Sequence, residues 1–138
     1  LLIVGLEPGA HGSNRTGRMF TGDASGDFLF PALYQAGFAN QPVSVYKNDC
    51  LFLTDIFITA VCRCVPPKNK PTHEEMQKCR PFLLKEIELL DNLKGIVALG
   101  QIAFENTLKI LSLLYPIKFN PKPKFLHGAY IEFQGNIP

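Results

Sequence analysis

Residues 1–6 read LLIVGL. An unbroken apolar run of this length, closing around a glycine, is the pattern of a strand buried on both faces, as in the centre of a parallel sheet. Two further apolar runs lie downstream, each far enough away to admit a helix between strands. Residues 56–63 (IFITAVCR) are β-branched and apolar, and residues 95–100 (GIVALG) form the third run. Ser25 is placed to N-cap a helix over 26–36, with Phe28, Leu29, Ala32, Leu33 and Ala36 on one face and Gly37 at its end. Thr72 opens a second helix as THEE, a capping-box pattern with Glu75, running to about Leu90 and bent near Pro81. Residues 101–114 make a third, and residues 125–136 alternate and turn like a β-hairpin. Strand and helix alternating three times predict an α/β fold with a parallel sheet.

The chain has 138 residues, 46% of them apolar, which is enough for one domain over 1–138 with an ordinary core. No apolar run approaches the roughly 18 residues of a membrane span. Residues 1–6 carry no basic lead-in of the kind a signal peptide has. Four cysteines, Cys50, Cys62, Cys64 and Cys79, form no CxxC pair, so a cytosolic setting with reduced thiols is expected. The net charge of +2 neither demands nor excludes a nucleic-acid partner. The chain enters a strand at once, without a Met, and is expected to be a piece of a longer protein.

Ligands of parallel sheets bind at the carboxyl ends of the strands, so the loops leaving residues 6, 63 and 100 should hold the chemistry. The first, LEPGAHGSNRTGRMFTGD over 6–23, is far longer than the roughly two to six residues a simple connection needs. It contains neither GxGxxG nor GxxxxGK[ST], so neither a dinucleotide nor a Walker phosphate site is supported. Glu7 lies two residues past Gly5, and Pro8 holds it in extended geometry. A carboxylate at a strand end suits a general base or a stabiliser of a cation; a solvated side chain is the plain alternative. Phe20 stands among polar neighbours, either to stack on a flat substrate or to plug the core. Arg15 and Arg18 can meet phosphate.

Cys64 and Cys79 leave a strand and enter the next helix, where two thiolates can furnish half of a four-cysteine zinc or iron–sulfur site; buried free cysteines are the alternative. Cys62 is read as core. His73 falls in a first helical turn, His11 in the long loop, and His127 near a turn; none has a fixed role. Lys118, Lys122 and Lys124 lie in a stretch without acids, either touching a phosphate backbone or simply solvated.

Three stretches together, GLEPGAHGSNRTGRMFTGDASGDFL, TAVCRCVPPKNKPTHEEMQKCRPFL and IVALGQIAF, closely resemble the uracil-DNA glycosylase superfamily, best its family 5, the iron–sulfur or type B enzymes. The resemblance covers nearly the whole chain in order. It implies a three-layer α/β/α domain around a four-stranded parallel sheet. It also implies hydrolysis of the N-glycosidic bond of uracil, hypoxanthine or xanthine flipped out of duplex DNA. The implied partner is double-stranded DNA carrying a deaminated base, bound by a monomer in the cytoplasm of a prokaryote.

Carried over by position, Phe20 matches the ring that stacks on the base. Asp23 and Asn69 match the carboxylate and the polar partner of the hydrolytic water. Gly9 and Ala10 fall where backbone N–H groups approach the base. Cys64 and Cys79 match two of four ligands of a [4Fe–4S] cluster, the other two being expected in a segment before Leu1. Three departures stand out. Glu7 replaces the usual Ala, at the position where classic uracil enzymes carry a water-activating Asp. Ala60 stands where related families read the uracil edge with Asn. A second, His-containing motif is expected beyond Pro138. A DNA-damage-binding module without catalysis and a hydrolase of small nucleosides are the two alternative functions.

Overall fold

The computed structural model describes residues 1–133. Its sheet has three parallel strands, β1 (Leu2–Gly5), β2 (Phe57–Ala60) and β3 (Ile96–Ala98), in the order β2-β1-β3. Leu2 pairs with both Phe57 and Ile96, and Val4 with both Thr59 and Ala98, so β1 is hydrogen-bonded along each edge. The strands are shorter than the apolar runs that announce them, because the ends of those runs turn into the loops that carry the site. The fourth strand implied by the resemblance is not among the described residues.

Alternation along β1 divides the core into two layers. Leu2 and Val4 face α3 (His73–Leu89) and α4 (Gln101–Leu114), packing with Leu83, Ile87, Ala103 and Ile110. Ile3 faces the opposite way, onto Leu29, Phe30 and Leu33 of α2 (Ala24–Gln35). Helices therefore cover both faces of a parallel sheet, as an α/β sandwich requires. The buried hydroxyl of Thr59 donates to Glu86 at 2.6 Å, and Glu86 is paired with Arg63, which satisfies the polar groups where α3 crosses β2.

The capping box of α3 forms as expected: Thr72 N–H donates to Glu75 Oε2 at 2.7 Å, and Glu75 N–H to Thr72 Oγ1 at 3.2 Å. The start of α2 differs. Its cap is Asp23, not Ser25, and the helix begins at Ala24. The Asp23 carboxylate accepts from the backbone of Ser25 and Gly26 and from the Ser25 hydroxyl, so a stronger acceptor two residues upstream displaces the serine. A short helix, α1 (Ser13–Thr16), folds within the long loop.

The hairpin expected over 125–136 is corrected for its described part: residues 125–133 contain no strand, and 134–136 lie outside the described residues. Phe125 packs on Phe104 of α4 with ring centroids 5.8 Å apart, and Phe119 meets Phe133 edge-on at 6.1 Å. Aromatic contacts, rather than ladder hydrogen bonds, hold this segment. No described helix is long and apolar enough to cross a membrane.

Candidate functional site

β1 is central, and the chain leaves it toward β2 across the α2 face but reaches β3 through α3 on the other face. The loops after β1 and β3 therefore diverge, which opens a crevice at their carboxyl ends. A cleft of about 290 Å³ occupies it, lined by Gly5, Leu6, Glu7, Gly9, Ser13, Met19, Phe20, Asp23, Ser25 and Leu99. Nine of these ten residues come from the first strand, its long loop and the start of α2; only Leu99 comes from the end of β3.

Phe20 adopts φ 54°, a left-handed conformation that costs a bulky L-residue about 1–3 kcal/mol. Its backbone N–H donates to Ser13 Oγ at 2.9 Å. The ring lies against the end of β1, where a Cβ on Gly5 would come within 2.7 Å of the ring's Cζ. The missing side chain at Gly5 thus leaves the room that the ring fills at this place. The result is an aromatic face held at the floor of the cleft, partly exposed to its interior. Phe20 packs beside the Ile3 and Phe30 core as well, so both readings of this side chain apply to it.

Asp23 Oδ1 receives the N-terminal donors of α2, leaving Oδ2 directed at Gly9 and Gly12. A Cβ at Gly12 would lie 2.8 Å from Asp23 Cβ and overlap the carboxylate. The cap therefore fixes a carboxylate whose second oxygen remains open to another donor. Glu7 faces the same cleft. Its Oε2 is buried and has no hydrogen-bond partner, and burial pushes the carboxyl above its ordinary value. A desolvated carboxyl of this kind is a site for proton exchange or for meeting a positive charge.

Other expected residues fall elsewhere. Asn69 is exposed, at φ 52° in the 3-10 turn Pro67–Asn69, and Ala10 is half-buried; neither lines the cleft. Arg15 is exposed beside it, with Nε donating to the His11 carbonyl at 2.8 Å. Arg18 points inward instead of toward solvent. Its Nη2 lies 2.8 and 2.9 Å from the two oxygens of Asp49 and 2.7 Å from Ser44 Oγ, and its Nε donates to Thr21. Ser13, Ser44 and Asp49 are participants that the sequence did not single out. Asp49 follows Arg18 by 31 positions, and no local pattern joins two such residues.

Cys64 is exposed and Cys79 half-buried, near the exit of β2 and in the first half of α3. Cys62 is a core side chain, 3% exposed. Its thiol is pushed up to about 12, first by burial and then by the adjacent Cys79, with Glu7 and Glu75 adding to it. Cys62 is therefore a poor thiolate donor, as its core reading requires. No group of three or more metal-ligating side chains is gathered among the described residues. By donor chemistry, Cys64 and Cys79 fit two positions of a four-thiolate cluster and no more.

The family model of the uracil DNA glycosylase superfamily matches residues 1–134. The chain is 48% identical over 138 residues to a type-5 uracil-DNA glycosylase of Mycobacterium bovis, covering 99% of this chain and 50% of that protein. It is 47% identical over 135 residues to the type-5 uracil-DNA glycosylase of Thermus thermophilus, covering 98% and 59% respectively. A type-4 uracil-DNA glycosylase of Pyrobaculum aerophilum is 34% identical over 112 residues, 80% of this chain. The chain spans about half the length of the curated relatives it matches.

Proposed function

The chain belongs to the uracil-DNA glycosylase superfamily, and from that premise we propose that it forms the base-binding part of a DNA glycosylase. Its substrate would be duplex DNA carrying uracil, and by the same chemistry other deaminated bases, with the target nucleotide flipped into the cleft. The observation that carries the reading is the meeting of three groups in one cleft: the Phe20 ring and the carboxylates of Glu7 and Asp23. A flat face and two acids suit a planar base attached to a sugar that develops positive charge.

Hydrolysis breaks the bond from C1′ to the base nitrogen, and the electron pair leaves with the base. The sugar becomes oxocarbenium-like, and a nearby carboxylate stabilises it. Water adds at C1′ and gives up its proton. Asp23 Oδ2 is the oxygen left to accept from that water, since Oδ1 is engaged by the helix. Glu7, lacking any internal partner, supports the developing cation or takes the proton. The Phe20 ring stacks on the base, and the backbone at Gly9, which lines the cleft, meets its edge. Arg15, exposed beside the cleft, is available to a phosphate, whereas Arg18 is engaged with Asp49. Cys64 and Cys79 would supply two ligands to a [4Fe–4S] cluster, which when bound would crosslink the loop after β2 to α3.

Alkali-induced strand cleavage on labelled duplexes tests the proposal, using U·G, hypoxanthine·T and undamaged pairs with the full-length protein. Cleavage confined to the damaged duplexes is expected. Cleavage of free nucleosides with no duplex activity would replace the reading with a nucleoside hydrolase. Tight binding of damaged duplexes without cleavage would replace it with a damage-binding module.

A further inference from the structure

Phe20 is held in a strained conformation by groups outside its own turn, and the strongest of them is an ion pair. The Asp49 side chain is 6% exposed and that of Arg18 22%. The carboxylate accepts from Arg18 Nη2 with both oxygens, from Val45 N–H at 2.7 Å and from Leu51 N–H at 3.1 Å. One residue thereby organises the loop 43–51 and presents it to Arg18. The same loop reaches the Phe20 turn by two further bonds: the Thr21 and Ser44 hydroxyls lie 2.5 Å apart, and Gly22 N–H donates to the Ser44 carbonyl at 3.3 Å. Arg18 completes the circuit through Thr21 Oγ1 at 2.9 Å and the Lys47 carbonyl at 3.2 Å. Residues 18, 21 and 22 are thus tied on both sides of Phe20 to a loop over 20 residues away in sequence.

We infer that Asp49, acting through Arg18 and Ser44, is a positioning residue that locks the Phe20 ring against Gly5 and so sets how firmly a flipped base is held. The inference rests on the glycosylase reading for its functional consequence, but the clamp itself is testable without it. Arg18 is by this assignment a strut of the base-binding floor and not a phosphate contact. A charge-assisted clamp with buried partners is suited to hold a left-handed aromatic residue that would otherwise relax.

Asp49→Ala and Asp49→Asn in the full-length protein separate positioning from general stability. Amide hydrogen exchange is read at Gly22, whose N–H is bonded to Ser44 of the clamp, at Phe20, whose N–H is bonded to Ser13 in the turn that the clamp holds, and at Val61 and Leu99, whose N–H groups are bonded in the core. Exchange is expected to quicken at Phe20 and Gly22 by at least about tenfold more than at Val61 and Leu99, since local opening exposes only the turn. The uracil-duplex kcat/KM should fall by about tenfold or more, mainly through KM, and Asp49→Ala should add little in a Phe20→Ala background. Unchanged exchange at Phe20 and Gly22, or an equal rise at all four amides, overturns the inference. Additive losses in the double variant overturn it too. If the wild type cleaves no duplex, the glycosylase reading falls while the exchange pattern still decides the clamp.

Discussion

The carboxylate of Asp23 lies where a Cβ on Gly12 would have to be, so one residue's lack of a side chain sets the other's position. Asp23 caps α2 with one oxygen and faces Gly9 and Gly12 with the other. Gly12→Ala should push the carboxylate out of the cleft and weaken the cap. Activity on a uracil duplex is expected to fall by about 100-fold or more, with a loss of stability near 1 kcal/mol. Single-turnover kinetics beside a urea melt would measure both.

The two duties of Asp23 can be separated. Asp23→Asn keeps an oxygen for the Ser25 and Gly26 N–H groups, and stability should change by less than about 0.5 kcal/mol while activity is lost. Asp23→Ala loses the cap as well, at a cost of about 1 kcal/mol. Equal stability loss in the two variants would contradict the capping role.

Glu7 should destabilise the fold at neutral pH. Burial pushes its carboxyl above the ordinary 4.5, so the folded state holds the proton more tightly than the unfolded chain. Stability from this group therefore declines as the pH rises past that value. Glu7→Gln removes the penalty. The variant should gain in Tm relative to wild type at about pH 7.5 and gain less at about pH 4. A gain independent of pH would point to packing instead.

Asp49 should behave in the opposite sense. Burial alone would raise its carboxyl, but hydrogen bonds from Val45, Arg18 and Leu51 and the Arg18 charge outweigh it and hold it near 2, below the ordinary 3.8. The stabilisation is complete above 3.8 and disappears as the pH falls toward 2. Asp49→Ala should cost about 2–3 kcal/mol at neutral pH by urea denaturation, and the gap to wild type should narrow in acid.

Much of this fold is legible in the sequence because its signals are local. The LLIVGL run marks a central strand, and the THEE box marks the start of α3 at Thr72. The crevice follows from strand order alone. What escapes local reading is decided by competition in space. Asp23 rather than Ser25 caps α2 because its carboxylate reaches the Ser25 and Gly26 N–H groups and starts the helix earlier, at Ala24. Arg18 looks like a phosphate ligand until the chain brings Asp49 back to it. Residues 125–133 alternate like a strand, but they pair with no strand among the described residues, and Phe125 and Phe133 settle onto other rings.

The cysteines offer a test separate from catalysis. If Cys64 and Cys79 ligate a cluster, Cys64→Ser and Cys79→Ser in the full-length protein should lose iron and visible absorbance. Cys62→Ser and Cys50→Ser should keep about four irons per chain. Cys62→Ser should still lower the Tm, because it places a hydroxyl in the core. Full iron in Cys64→Ser would remove that residue from the ligand set.

The most direct measurement is the single-turnover rate on a U·G duplex for the wild type and for the double variant Glu7→Gln, Asp23→Asn, with duplex affinity measured alongside. The expected result is cleavage by the wild type and a rate at least about 1,000-fold lower in the double variant, with the damaged duplex still bound through Phe20. A double variant that cleaves at the wild-type rate would contradict the assignment of this cleft and its two carboxylates as the catalytic centre.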